Sequence, residues 1–224
     1  MAQKGMVAIA LMLCVGCLDS SNSTVPSSRV SQHSAPGPRT TSSATAAAGP
    51  FGLWKGMNEE QLRQSTTTLA AIDATSFTAD SVPNPHRAFE SYTFHLTQTH
   101  GLCRIQGIGT DVAMNMFGTQ LKEQFQELAE ALDEKYGTHK SLEAVAPGSA
   151  WNNPEDWPMA LVKQEAMLAA TWDFTNIPRD DGIQGMTLEA SAMSREKGYV
   201  VLTYYFDNSD LCIREINRAH NSVF

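Results

Sequence analysis

The chain has 224 residues and a formal net charge of −8, from 16 Lys and Arg against 24 Asp and Glu. Its length suits one domain with a substantial core and an additional segment. The acidic balance disfavours nucleic acid and polybasic membrane-surface partners, so no nucleic-acid partner is expected.

The N-terminus has the layout of an export signal. Lys4 precedes an uncharged apolar run over residues 6–15, which matches the first two regions of a secretory signal. The run is well short of the roughly 20 residues that a spanning helix needs. Cys14 and Cys17 have C-x-x-C spacing but lack the βαβ context or second ligand pair of a redox or zinc site. We predict a signal peptide over residues 1–16.

The end of the run, "LCVGC" at residues 13–17, resembles the lipobox of bacterial lipoproteins, although Cys14 stands where Leu is usual. The resemblance implies cleavage before Cys17, acylation of Cys17 with palmitate-type chains and a membrane anchor. Leu18 follows, and the absence of Asp there resembles lipoproteins sent to the outer membrane. The expected location is the cell envelope, facing the periplasm; ordinary secretion is the alternative.

Residues 17–50 form a tether in this interpretation. Ser, Thr, Ala and Pro dominate it, and it has neither an aromatic residue nor an apolar period. Such a segment buries too little apolar surface to offset the entropy of ordering. Its typical span is roughly 30 Å. A single folded domain is predicted over residues 51–224.

The domain begins with "FGLWKGMNEEQL", residues 51–62. Asn58 and Gln61 have the spacing of a capping box, and Met57 can pack on Leu62, so a short helix is predicted. The apolar start, the Gly-Met pair and the short acidic helix resemble the beginning of BamE-type outer-membrane assembly lipoproteins.

A hairpin is predicted next, because residues 89–97 alternate as a half-buried strand and residues 101–109 follow a turn. His95, His100 and Cys103 lie in it. We predict no metal site there, since the two histidines have opposite strand parity and His100 falls in the turn. We expect these three residues to lie instead on the solvated edge of a hairpin.

The strongest helix pattern covers residues 117–137. Apolar residues recur at intervals of four and three on one stripe, and Gly137 is the expected C-cap. The stripe consists of Leu121, Phe125, Leu128, Leu132 and Tyr136. It predicts packing on a sheet, and a groove for a cofactor or partner helix is the alternative.

A second main helix is predicted from Asn153, with Pro154 in its first turn, through Trp172. Trp151, Trp157 and Trp172 lie close together in the sequence. They predict either core packing or an exposed aromatic surface that binds carbohydrate or peptidoglycan.

The last predicted elements are a hairpin over residues 183–208, with its turn at 194–198, and a short C-terminal helix over residues 210–220. Both strands of the hairpin alternate with period two. The fold class is therefore α+β: an antiparallel sheet of about four to six strands covered by two main helices.

Loss of Cys14 and lipidation of Cys17 would leave Cys103 and Cys212 as an even pair in the exported domain. An oxidising compartment permits a disulfide between them, and two buried thiols are the alternative.

Catalytic motifs are missing: there is no G-x-S-x-G, H-E-x-x-H or P-loop pattern. No catalytic residue, metal or cofactor is predicted. The favoured function is a non-catalytic lipoprotein that binds another envelope component, such as an envelope protein, through a sheet edge or a groove beside the long helix. The rival is an envelope hydrolase acting on peptidoglycan or polysaccharide.

Overall fold

The computed structural model describes residues 49–221, with side chains as far as residue 218. The predicted signal peptide, Cys17 and nearly all of the predicted tether lie outside these residues. The described part is an α+β domain built on a large antiparallel sheet, which confirms the predicted fold class.

Residues 49–221 contribute nine strands and four α-helices. The strands are β1 (Ala70–Ala71), β2 (Ser76–Ala79), β3 (Phe89–Thr97), β4 (Gly101–Gly109), β5 (Val112–Ala113), β6 (Lys140–Val145), β7 (Ala166–Asp173), β8 (Ile183–Ser194) and β9 (Lys197–Phe206). The helices are α1 (Glu59–Ser65), α2 (Thr119–Tyr136), α3 (Trp157–Val162) and α4 (Ser209–Asn221).

The chain runs through the same order of elements twice. First α1 leads into the antiparallel series β1 to β4, and then α2 leads into the series β6 to β9, with α3 between β6 and β7. The two series meet where β4 pairs antiparallel with β9, which gives the order β1-β2-β3-β4-β9-β8-β7-β6. The short strand β5 pairs with the beginning of β9.

The core lies between the sheet and the helices α2 and α3, which pack against β7, β8 and β9. Inward residues alternate along the central strands, as the period of a strand requires. In β9, for example, Val200, Leu202, Tyr204 and Phe206 are all buried. Helix α4 lies on the opposite face, against β3 and β4.

Local signals at the helix ends act as predicted. Asn58 accepts from the Gln61 N–H at 2.9 Å, and the Gln61 side chain accepts from the Asn58 N–H at 3.0 Å, so the capping box is complete. Met57 and Leu62 are both fully buried beside it. At the end of α2, the Gly137 N–H donates to the Asp133 carbonyl.

Two parts of the fold prediction need correction. The sheet has nine strands in the described residues, not four to six. The predicted helix from Asn153 to Trp172 is instead a 3-10 turn (Pro154–Asp156), the six-residue α3 and the strand β7. Gln164, with φ 57°, reverses the chain between them. The error arises because a four-residue spacing, as between Leu168 and Trp172, keeps side chains on one face of a strand as well as of a helix.

Candidate functional site

A cavity of about 370 Å³ lies between the C-terminal half of α2 and the sheet. We call it the α2 groove. Its walls are mainly apolar and aromatic, with polar groups at the rim. The lining includes Phe51, Phe89, Leu128, Ala131, Leu132, Tyr136, Leu202 and Tyr204, with Asn84, His86 and Lys135 as polar members. Concave, mostly apolar sites with a few polar groups are typical of ligand-binding pockets.

A gradient of side-chain size along β9 opens the groove. Gly198, Val200, Leu202 and Tyr204 follow one another on the strand face that α2 covers. At the glycine end the contact is tight, because a Cβ on Gly198 would lie 2.5 Å from Leu121 Cδ2. At the tyrosine end the Tyr204 ring packs against Tyr136 of α2, with the ring centroids 6.2 Å apart, and both rings line the cavity.

The apolar stripe of α2 has a buried part near the glycine end of β9 and a partly exposed part near the tyrosine end. Leu121 and Phe125, near the glycine end, are 0% and 3% exposed. Leu128 and Leu132, further along the stripe, are only partly buried and line the groove. The stripe therefore packs on the sheet, as one of the two alternatives predicted, and its C-terminal part also lines a cavity.

Phe51 forms another wall, in a strained backbone conformation. Its φ of 57° and ψ of 19° lie in the left-handed region, which bulky residues rarely adopt. Its ring meets Phe89, Tyr92 and Tyr204 edge-on at centroid distances of 5.6, 4.9 and 5.7 Å. These contacts offset a strain of about 1–3 kcal/mol. Gly107 leaves room for the ring, since a Cβ there would lie 3.2 Å from Phe51 Cζ.

Two tyrosines, Tyr136 and Tyr204, line the groove. Burial, followed by the adjacent Tyr136, raises the pKa of Tyr204 well above its usual value, and the two rings lie with their centroids 6.2 Å apart. Tyr204 is therefore neutral at physiological pH. The Arg179 guanidinium lies 5.1 Å from the centre of the Tyr136 ring, and Asp181 holds that guanidinium at 2.8 Å. Tyr204 thus contributes a neutral hydroxyl to the groove, and Tyr136 contributes a ring held between Arg179 and Tyr204.

The rim adds a cation and a histidine. Lys135 Nζ lies 4.9 Å from the centre of the Tyr136 ring. His86 Nδ1 accepts from the Ala88 N–H at 3.2 Å, which fixes the orientation of the ring. A ligand with an apolar body and a polar or acidic end fits this distribution of groups.

A second polar cluster joins Ser76, His95 and Arg104 on the opposite face of the sheet. Arginine only donates, so His95 Nε2 accepts from Arg104 Nη2, and His95 Nδ1 carries the proton, which it donates to Ser76 Oγ at 3.2 Å. Burial, followed by the Arg104 charge, lowers the pKa of His95 to about 4. His95 is therefore neutral in the folded chain.

This neutral histidine predicts a pH dependence of stability. The unfolded chain takes up a proton at His95 near pH 6.5, whereas the folded chain does so only near pH 4. Between these values the unfolded state binds more protons, so we expect the free energy of unfolding to fall as the pH is lowered through this window. Urea denaturation at pH 7 and pH 5, together with NMR titration of the His95 ring, measures the effect.

His95→Gln is the control for that prediction, because a glutamine oxygen can still accept from Arg104 but does not titrate. Its loss of stability between pH 7 and pH 5 should be smaller than that of the wild type. A His95 ring that titrates near pH 6.5 in the folded chain would contradict the assignment.

Cys103 and Cys212, the pair for which the sequence allows a disulfide, are joined in the structure with their Cα atoms 6.6 Å apart. A β-bulge makes this contact geometrically accessible. His95 pairs with Arg104 but Leu96 pairs with Leu102, so Cys103 is the extra residue of β4. The bulge turns Cys103 towards α4 while Leu102 stays in the core.

The three tryptophans do not form the open aromatic surface that was one of the two predictions. Trp157 and Trp172 are 5% and 3% exposed, and Trp151 packs partly buried against the core. The Trp172 indole N–H donates to the Gly137 carbonyl at 2.7 Å and to Asp133 at 3.0 Å. Their role is core packing, because the large rings fill the space between the sheet, α2 and α3.

The histidines and cysteine of the first hairpin are separated by the structure. His95 faces Arg104, His100 lies at the turn, and Cys103 is in the disulfide. Across residues 49–221, no group of three His, Cys, Asp or Glu side chains is arranged to hold a metal ion. The lipidation residue Cys17 lies outside the described residues. None of the helices in the described part is long and apolar enough to cross a bilayer.

Comparison with protein families, with characterised proteins and with solved structures finds no significant match to this chain. The resemblances at Cys17 and at residues 51–62 therefore remain predictions from the sequence.

Proposed function

We propose that this chain is a lipid-anchored protein of the bacterial cell envelope whose domain binds another envelope component through the α2 groove, without catalysing a reaction. The lipobox resemblance at Cys17 supports the anchor. The observation that carries the binding role is the apolar cavity between α2 and β9.

The physical basis of binding is the burial of apolar surface. Leu128 and Leu132 are only partly buried, and covering such side chains contributes roughly 25 cal/mol for each Å² removed from water. The aromatic wall is already rigid, because Phe51 packs on three rings. A preformed wall reduces the entropy lost when a ligand binds.

The rival function, hydrolysis of peptidoglycan or polysaccharide, has less support. A general acid at neutral pH needs a carboxyl group whose pKa is raised. In the described residues, the carboxyl groups with displaced pKa values are all displaced downward, chiefly by hydrogen bonds and neighbouring cations. They are Asp73, Asp133, Asp173, Asp181 and Glu215.

Photo-crosslinking in the envelope tests the proposal. A photoreactive residue at Ala131, which lines the groove, should give one discrete adduct with an envelope component. The same residue at Glu127, which is exposed on α2 but outside the groove lining, should not. Leu132→Glu should weaken the adduct at Ala131 about tenfold or more, because binding would bury an unpaired carboxylate.

The same cells test the anchor. The wild-type chain should incorporate a palmitate analogue and fractionate with membranes, whereas the Cys17→Ser chain should do neither and Cys14→Ser should behave nearly as wild type. Equal adducts from positions 131 and 127 would contradict binding in the groove. Equal labelling of the wild type and Cys17→Ser would contradict the anchor.

A further inference from the structure

The two edges of the sheet differ in a way that points to a partner. The edge strand β1 has two residues, and so short an edge offers little to pair with. The other edge, β6, has six residues, and every one of them is exposed. It contains no proline, and its register with β7 is regular. Proteins usually protect such an edge, because its free backbone groups are a template for another strand.

The backbone of β6 has a defined outward side. The Ala146 N–H donates to the Glu165 carbonyl at 2.6 Å, and the register with β7 runs without a shift from there to Lys140. In an antiparallel pair, alternate residues bond to the neighbouring strand. Ser141, Glu143 and Val145 therefore direct their N–H and C=O groups away from the sheet.

Two neighbouring side chains on one face of β6, Leu142 and Ala144, are apolar. Glu143 points to the α2 side, where Lys122 Nζ lies 2.6 Å from its carboxylate. Leu142 and Ala144 consequently point to the opposite face. Met167 lies opposite Ala144 on the same face, and Leu142 and Met167 are each 49% exposed. An exposed apolar pair thus lies directly beside an edge to which no other strand of residues 49–221 is paired.

We propose that β6 pairs antiparallel with β6 of a second copy of this chain, with the two-fold axis at Leu142. This register pairs the outward residue Ser141 with Glu143 of the second copy, and Lys140 with Ala144. The two Leu142 side chains meet on the apolar face and extend the cluster that includes Met167. The two sheets then form one continuous sheet across the dimer.

The sequence of β6 favours a second copy of this chain as the partner, because two β6 strands are complementary to each other. With the axis at Leu142 no like charges are opposed, and residues 140–144 all find a partner. With the axis at Glu143, two carboxylates face each other, which is destabilising. With the axis at Ser141 or at Ala144, only three residues of the strand are paired, 140–142 or 143–145. The sequence of β6 thus selects a single symmetric register.

Cysteine crosslinking tests the register. Opposed residues in a non-hydrogen-bonded antiparallel pair have Cα atoms about 4.5 Å apart, within the range of about 4.4–6.8 Å for a disulfide. Leu142→Cys should therefore form a covalent dimer of the full purified chain under mild oxidation. Glu143→Cys is the matched control, because its Cα lies about 8 Å from the same residue of the second copy. All chains compared carry Cys14→Ser and Cys17→Ser.

A second variant keeps the test independent of oxidation. Glu143→Pro removes an outward N–H that only the dimer uses, so the sedimentation mass should fall from dimer to monomer while the circular dichroism spectrum is retained. Glu143→Ala should remain dimeric. A monomeric wild-type chain, equal crosslinking at positions 142 and 143, or a photo-crosslink from Leu142 to a different protein without a dimer would overturn the proposal.

Discussion

Replacing both Cys103 and Cys212 by alanine is expected to lower the free energy of unfolding by about 4–5 kcal/mol. The two residues are 109 positions apart, so the crosslink removes much of the conformational entropy of the unfolded chain. It also holds α4 on the sheet beside the bulge in β4. Urea denaturation of the variant and of the wild type, at the same pH, measures the difference.

The single variants are the control for this prediction. Cys103→Ala and Cys212→Ala should each lose nearly as much stability as the double variant, because either one removes the whole bond. Thiol labelling of denatured, unreduced wild type should find neither Cys103 nor Cys212 free. Full labelling at both positions, or a loss below about 1 kcal/mol in the double variant, would contradict the disulfide.

Gly101→Ala is expected to destabilise the domain by about 3–5 kcal/mol. Gly101 has φ +63°, which costs a residue with a Cβ about 1 kcal/mol or more. In addition, a Cβ at this position would overlap the backbone of Gly56, much closer than van der Waals contact. That backbone is itself fixed by a hydrogen bond from the Gly56 N–H to the Leu102 carbonyl. Neither backbone segment can move aside without breaking such bonds.

Gly137→Ala is the matched control, measured by the same denaturation experiment. Gly137 has φ +87°, but a Cβ there would meet nothing within 4 Å. Its replacement should cost only the backbone strain, about 1–3 kcal/mol, because its φ of 87° and ψ of 173° lie in a region that essentially only glycine adopts. Gly101→Ala should lose more stability than Gly137→Ala because only the Cβ at position 101 meets other atoms, those of Gly56, and equal losses would show that the contact is unimportant.

The elements that sequence patterns predict well are those whose signals are local. The capping box at Asn58, the stripe of α2 and the alternation of β8 and β9 each depend on residues within one element. The strand β6 was missed because all its residues are exposed and it therefore has no apolar alternation. The repeated order of a helix and four strands was missed because it is a repeat of topology, not of residues.

The candidate site was harder to predict than the fold. The increase in size from Gly198 to Tyr204 is visible in the sequence, but it describes a groove only once α2 is known to lie along β9. The disulfide needed the bulge in β4, which no local pattern indicates. Conversely, Trp157 and Trp172 gave a clear sequence signal for either a surface or a core, and only the packing distinguishes the two.

The long span of the disulfide has a consequence for the order of events during synthesis. Cys103 leaves the ribosome 109 residues before Cys212, and the strands β5 to β9 emerge in between. Until Cys212 follows, Cys103 carries a thiol without its partner, and Cys14 and Cys17 precede it in the chain. In the envelope protein proposed above, lipidation of Cys17 and removal of Cys14 would leave neither earlier cysteine to exchange with Cys103 when it meets Cys212 in an oxidising compartment.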